Sequence, residues 1–466
     1  MIARTTDFQP WVLRLLVWTG VIGLTAVVTL VSVVASVQVA LVVVGLIVAL
    51  ILFSRTRIIV LAVLLVPTLS LVRRIAAGPS GYTASDPLIL LPTLLVIVVV
   101  ALSLTRPSTN DRGSVLRTLA VFTALGVATT VVLRGAFNVD GLFFASLVIV
   151  PMLLAVVLSS GRMPPVWDAV RRVLPGVAVF AGTYGIYQFV ALPEWDRAWM
   201  RTSQLTSIGQ ALPFQVRVFA ASESPGPFAL FLGLVLTVCL AAAVTEAKGN
   251  RRLGWTALSA FLAYPLLLTG VRSALLGVAV SAVVLTLLRA RGFSRVVIVA
   301  FLVGAYYLLT AVVARFGSNS TILTADRYTE FSADDDSLVA RLALLQGIGN
   351  PFAHLVGNPN GGGADNLYVD TLLRYGLVPA AALLMFAIGI TVVAIRNLAR
   401  KMAETASLSI VFIMTMSLFG PTFNSLFGVL AGVVFGTVMA ASNTGTTMQT
   451  TRRGKLAETM TTVSTR

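Results

Sequence analysis

The chain is a succession of apolar runs separated by short polar gaps. Two of them read VQVALVVVGLIVALILF (Val37–Phe53) and ALSAFLAYPLLLTG (Ala257–Gly270). Neither alternates apolar and polar residues, as the strands of a transmembrane barrel do. A bilayer offers no water to satisfy backbone N–H and C=O groups, so continuous runs of this kind cross it as helices. The runs predict fourteen spans: 14–33, 36–53, 58–72, 87–104, 115–133, 141–159, 173–190, 226–244, 253–269, 271–289, 295–313, 376–395, 405–421 and 424–441. The third is short, and 253–289 also reads as one broken pair, so twelve to fourteen spans are expected. The first run leads straight into the second with no small-x-small cleavage site, which reads as a retained span rather than a removed signal.

Composition narrows the class. Of 466 residues, 57% are hydrophobic and 11% charged, and the mean hydropathy is +0.93. A soluble domain carries about 25% charged residues, so the polar skin of a globule is missing. The expectation is an all-α, polytopic transmembrane helical bundle. The net charge of +16 does not point to nucleic acid, because most arginines and lysines fill the gaps between apolar runs. With a cytoplasmic N-terminus, every inside gap is basic: Arg55 and Arg57; Arg106, Arg112 and Arg117; Arg162, Arg171 and Arg172; Lys248, Arg251 and Arg252; Arg289, Arg291 and Arg295; Arg396, Arg400 and Lys401. That is the positive-inside pattern, and it puts both termini in the cytoplasm. Among the short outside gaps, Arg73 and Arg74 are the exception. The lone cysteine, Cys239, lies in an apolar run and has no partner within the chain. Residues 1–441 read as one transmembrane domain. The tail 442–466 is rich in Thr, Ser, Arg and Lys and reads as a disordered cytoplasmic segment.

Two connections are too long to be simple turns, and both fall on the outer side. The first covers 191–225. The second covers 314–375 and holds seven of the 18 acidic residues. Long connections in compact proteins are usually functional or disordered. The second loop contains SLVARLALLQGI, a candidate short helix, and a glycine turn at Gly361–Gly363 followed by DNLYVDTLLRYGLVPA. Asp365 or Asn366 is placed to cap a helix there. The loop is expected to be partly helical and folded against the bundle.

Candidate chemistry gathers on the same side. Arg272 sits between two apolar runs, beside Gly270, and Arg217 lies just before a span; an arginine at such depth needs a reason. Arg341 and Arg327 belong to the second loop. Guanidinium groups converging on one membrane face form an anion site, since they bind phosphate oxygens in pairs. Arg134 and Arg315 read instead as snorkelling or as partners of Asp or Glu. His354 reads as a loop residue without chemical consequence. Asp365 is a helix cap or a carboxylate able to take a proton from an attacking hydroxyl. Asp334–Asp336 lack the spacing of a calcium loop and read as a solvated stretch. HExxH, CxxC, GxxxxGK[ST] and GxGxxG are absent, which leaves metalloprotease, thiol-redox, ATPase and dinucleotide readings without support.

Three pieces together resemble the superfamily of bacterial O-antigen ligases and polysaccharide polymerases, over roughly residues 170–440. They are RVFAASESPGPFALFLGL from Arg217, YPLLLTGVRSALLGVAV around Arg272, and SLVARLALLQGIGNPF with GNPNGGGADNLYVDTLLRYGLV. The resemblance implies a GT-C-like bundle with an outward-facing site between the two loops. It implies transfer of glycan from a polyprenyl-diphosphate-linked donor to a lipid-linked or cell-envelope acceptor, with no cofactor and no metal. Polysaccharide-assembly proteins, membrane lipids and the lipid-linked glycan are the implied partners, and nucleic acid is not. The family's diphosphate-holding arginines fall on Arg217, Arg272 and Arg341, with Arg327 nearby. Ligases carry a histidine directly before the Asn of the N-x-Y element, whereas this chain has Asp365 before Asn366 and Tyr368. That departure favours a polymerase-like enzyme with Asp365 as base. Glu223, Asn366 and Tyr368 become substrate-contact candidates, with Glu223 meeting either sugar hydroxyls or an arginine. A ligase-like transfer and a flippase for anionic lipid-linked glycans are the alternatives.

Overall fold

The computed structural model describes residues 53–78, 87–109, 114–137, 139–203, 208–246, 248–289, 351–360, 364, 366–420, 422 and 427–442, with scattered positions at 45–48 and 296–311. The expected span 14–33, the SLVARLALLQGI segment, Arg315, Arg327, Arg341, Asp334–Asp336, Asp365 and the tail lie outside them.

The described residues form an all-α helical bundle. Its elements are α1 (Arg55–Ala77), a 3-10 turn (Pro87–Leu90), α2 (Leu91–Leu104), α3 (Val115–Leu133), α4 (Val139–Ser159), α5 (Trp167–Ala191), α6 (Glu194–Thr202), α7 (Pro225–Thr245), α8 (Gly249–Leu268), α9 (Arg272–Leu288), a second 3-10 turn (Pro351–His354), α10 (Leu367–Tyr375), α11 (Leu377–Ala399), α12 (Glu404–Ser417) and α13 (Phe427–Ser442). Six of these are long and apolar enough to cross a membrane: α1, α3, α4, α5, α7 and α11. The chain is therefore a multi-pass membrane protein.

Several boundaries move from their expected places, each for a physical reason. The short run 58–72 is a 23-residue helix that continues through Arg73 and Arg74. Those two arginines are buried within α1 and do not belong to an outside gap. α5 starts six residues before its apolar run, at Trp167, where the indole N–H donates to Thr405 Oγ1 at 3.0 Å. The expected 191–225 loop contains α6, a helix of nine residues that hydropathy does not register because it is polar. The 253–289 run is two helices, broken at a turn where Gly270 takes φ 64°.

α7 is apolar on every face and lies at the centre, as such helices do. It packs against α5, α8, α9 and α12. Van der Waals fit, rather than a hydrophobic drive, holds helices together in lipid. The fit here centres on Phe412 of α12, whose fully buried ring fills notches on two helices at once. A Cβ at Gly233 of α7 would lie 2.5 Å from the ring, and one at Gly277 of α9 would lie 3.0 Å from it. Outside this centre, α3 packs on α4 and α11, and α13 joins α11 through Asn397 Nδ2, which donates to Val438 O at 3.2 Å, and through the edge-to-face pair Phe386–Phe435.

The helices alternate in direction, giving the bundle two distinct ends. At one end Arg289 pairs with Glu404, and Arg162 donates to Leu104 O. The other end gathers the C-termini of α1, α3, α5, α8 and α12, the N-termini of α7, α9 and α11, and the described parts of both long connections. Gly233→Ala should therefore cost about 1–3 kcal/mol, read as lower thermal stability in detergent. Phe412→Leu should restore part of that loss, whereas Gly176→Ala, facing open space on α5, should leave stability nearly unchanged. Equal behaviour of Gly233→Ala and Gly176→Ala would remove the keyed contact.

Candidate functional site

The first long connection is fastened to the bundle by charge. Arg74, one turn from the end of α1, has a fully buried side chain. Its Nε lies 3.1 Å from Asp196 Oδ1, an acid equally buried on α6. Arg74 Nη1 donates to Ser222 O at 3.0 Å, and Nη2 donates to Ala220 O. Its guanidinium also stacks over the Phe219 ring, 4.7 Å from the centroid. Asp196 in turn accepts from the Tyr184 hydroxyl at 2.7 Å and from Gln188 Nε2 at 2.6 Å. Gln188 Oε1 accepts the backbone N–H groups of Phe219 and Ala220. Asp196 Oδ2 is thus matched by two donors, while Oδ1 meets Arg74 as an ion pair, and partners of this kind are what a buried charge requires. Burial raises the Asp196 carboxyl above the ordinary carboxylate range, while Arg74 and the two hydrogen bonds act against that rise.

Beside it, Arg73 Nη1 lies 2.7 Å from Glu223 Oε1. An arginine was one of the two partners weighed for Glu223, and Arg73 fills that role. The Glu223 side chain keeps 36% exposure, so the carboxylate stands at the edge of the site rather than inside the core. Trp199 of α6 donates to Glu223 O at 3.2 Å. Together these contacts hold the stretch 218–224 against α1 and α5.

That held stretch delivers Arg217. After a short antiparallel bridge between Gly209 and Val216, Val218 N donates to Leu268 O at 3.1 Å. The Arg217 side chain then reaches the same turn, with Nε donating to Thr269 O at 3.0 Å and Nη2 to Gly270 O at 3.3 Å. Two residues on, Arg272 is the first residue of α9. Two arginines separated by 55 positions in sequence therefore belong to one turn, Arg217 by its side chain and Arg272 by its place in the chain. Both are half-buried. The first turn of α9 adds the partial positive charge of a helix N-terminus. Arg217 is also a structural brace, a role that sequence reasoning did not assign it.

The described part of the second connection docks beside α3 and α11. Asn366 is the cap of α10, accepting from Tyr368 N at 3.0 Å and Val369 N at 3.2 Å. Its amide donates to Leu418 O at 2.9 Å, tying α10 to the end of α12. Between Asp365 and Asn366 as candidate caps, Asn366 fills the position. Tyr368 is half-buried, with its hydroxyl 4.0 Å from Met414 Sδ. Burial pushes its phenol up to about 12, so it stays protonated at neutral pH. One turn on, Asp370 Oδ1 accepts from Arg374 Nε at 2.9 Å and from Ala364 N at 3.0 Å. Arg374 lies over the Phe144 ring, 4.3 Å from its centroid.

Among the described residues Arg134 meets backbone carbonyls rather than an acid. It caps the end of α3 and donates to Gly357 O at 2.8 Å and Val356 O at 3.0 Å. Gly357 presses directly on the backbone of Arg374 and Tyr375, where a Cβ would come within 2.4 Å. His354 is half-buried at the end of its 3-10 turn. Among the described residues, no cluster of three His, Cys, Asp or Glu side chains could hold a metal.

The residues that sequence reasoning missed are Arg74, Asp196, Asp370 and Arg374. Arg73–Arg74 did carry a signal, as the only basic pair that broke the inside pattern. Breaking one side of the Arg74–Asp196 pair strands a buried charge. Arg74→Met should cost about 3–5 kcal/mol and lower membrane levels and thermal stability. Arg74→Met combined with Asp196→Asn should lose less than Arg74→Met alone; an additive loss would contradict the coupling. No family model and no curated protein sequence matches this chain.

Proposed function

We propose that the chain is a membrane glycosyltransferase of polymerase-like type. It moves glycan from a polyprenyl-diphosphate-linked donor to a lipid-linked or cell-envelope acceptor at the outer face of the cytoplasmic membrane. The observation that carries this reading is the turn at 269–272, where Arg217 is held at the start of the helix that Arg272 opens. Two guanidiniums and a helix N-terminus on one bundle end suit a diphosphate. The basic gaps at the opposite bundle end support an outward orientation for this one, and with it a GT-C-like arrangement of one external site on many spans.

The chemistry follows from charge. An acceptor hydroxyl attacks the anomeric carbon, the bond from that carbon to the diphosphate oxygen breaks, and polyprenyl diphosphate leaves with an added negative charge. Fixed guanidinium groups stabilise that charge as it develops, without reorganisation. Asp365, next to the α10 cap, takes the hydroxyl proton. The cap duty that competed for its oxygens belongs to Asn366. Arg341 and Arg327 complete the proposed diphosphate set from the second loop. A cavity of about 530 Å³ between α2, α3 and α4, lined by Ile97, Leu104, Val132, Phe137, Leu142 and Leu153, offers an apolar track for the prenyl chain.

Purified protein in lipid, given lipid-linked oligosaccharide, should form new glycosidic bonds. Arg272→Ala and Arg217→Ala should each lower transfer by about 10²-fold or more at normal membrane levels. Asp365→Asn should reduce turnover with little change in donor binding. Full activity in the arginine variants would remove the diphosphate site, and movement of the lipid across the bilayer without bond formation would favour a flippase. Deleting the gene and analysing lipid-linked intermediates separates the two enzyme readings. Accumulated single repeat units indicate a polymerase, and accumulated full-length chains indicate a ligase.

A further inference from the structure

The opposite end of the bundle carries a second basic feature that glycan transfer does not use. A cavity of about 790 Å³ opens between the start of α5, the end of α7 and the start of α8. Arg171 and Arg172 reach it from α5, and Arg251 reaches it from α8. Glu246 is the one acid on its wall, and its Oε1 already accepts the Lys248 N–H at 3.2 Å. Arg171 has a second carboxylate near it, Asp168 at 3.3 Å, but both side chains are well exposed. Such a pair contributes little. No acid among the described residues pairs with Arg172 or Arg251.

A positive-inside signal explains the presence of these arginines but not their arrangement. Arginines acting only through net charge are indifferent to whether they surround a cavity. Here residues from two separate helices face a common hollow. Below the charged rim, Pro175, Val238, Ala242 and Leu258 form an apolar floor. Trp255 lies on the same wall, and indole rings settle at the level of lipid head groups. A hollow of this volume is in the range of small-ligand sites, about 300–1,000 Å³. A basic rim, an apolar floor and an indole together match an amphiphile with one anionic phosphate.

We infer that this cavity is a binding site for an anionic phospholipid, its phosphate held by Arg172 and Arg251 and its upper methylenes on the Val238–Leu258 floor. The site is separate from the donor site and independent of the glycan-transfer reading. An inorganic phosphate ion shares the head-group chemistry but gains nothing from the floor.

Trp255 supplies the probe. The full-length protein is reconstituted with brominated phosphatidylglycerol or brominated phosphatidylcholine at equal mole fraction. Its fluorescence is compared with that of Trp255→Phe to isolate the Trp255 signal. Quenching of that signal should favour phosphatidylglycerol, with relative affinity falling about fivefold for each arginine removed. Arg172→Gln combined with Arg251→Gln should abolish the preference while thermal stability stays unchanged. Equal quenching by the two lipids overturns the proposal, as does a preference that survives the double variant. Full relief of quenching by millimolar inorganic phosphate assigns the cavity to a soluble ion and also overturns it.

Discussion

The buried pair of Arg74 and Asp196 is the contact on which the candidate site depends. A charge in that position is costly unless its partner and its remaining hydrogen bonds are all in place. Here Tyr184 and Gln188 donate to the acid, and the carbonyls of Ser222 and Ala220 accept from the arginine. The pair joins the end of α1 to α6, and through the carbonyls of Ala220 and Ser222 it fixes the path of the chain toward Arg217. Arg217 then holds the turn into α9. A buried electrostatic contact thus sets where Arg217 of the candidate site stands.

Three pairs of arginines stand in three different settings. Arg74 and Arg374 are sealed by carboxylates, carbonyls and aromatic rings, so they stabilise form. Arg217 and Arg272 are half-buried at a turn, and Arg172 and Arg251 are exposed around a hollow. Arginine's planar fork suits all three uses. The partners around each guanidinium, rather than residue type, separate a brace from a binding group.

Hydropathy alone located most of the described helices, and 115–133 was recovered to the residue. The reason is that lipid imposes one rule on every span: an apolar surface with an internally bonded backbone. Where another rule governs, the sequence was less readable. α6 is polar and is held by the contacts of Asp196 and Trp199 with distant segments, which no local pattern records. Arg73 and Arg74 stood out as exceptions, yet their burial depends on residues about 120 to 150 positions away. Arg217 and Arg272 were singled out by their depth. That Arg217 braces the turn leading into Arg272 required the backbone hydrogen bond from Val218 to Leu268 to be seen. The choice between Asp365 and Asn366 as cap turned on side-chain geometry that both residue types can supply.

The Phe412 ring, seated in glycine notches of both α7 and α9, also limits how the bundle moves. To rock α7 against α9, the ring must leave one notch, and close-packed interiors give way in discrete steps rather than gradually. The three helices therefore travel as a single piece. The centre of the bundle is thus stiff at the level of this ring. A stiff centre of that kind is what the proposed reading asks for, a stationary platform whose halves need not slide past each other.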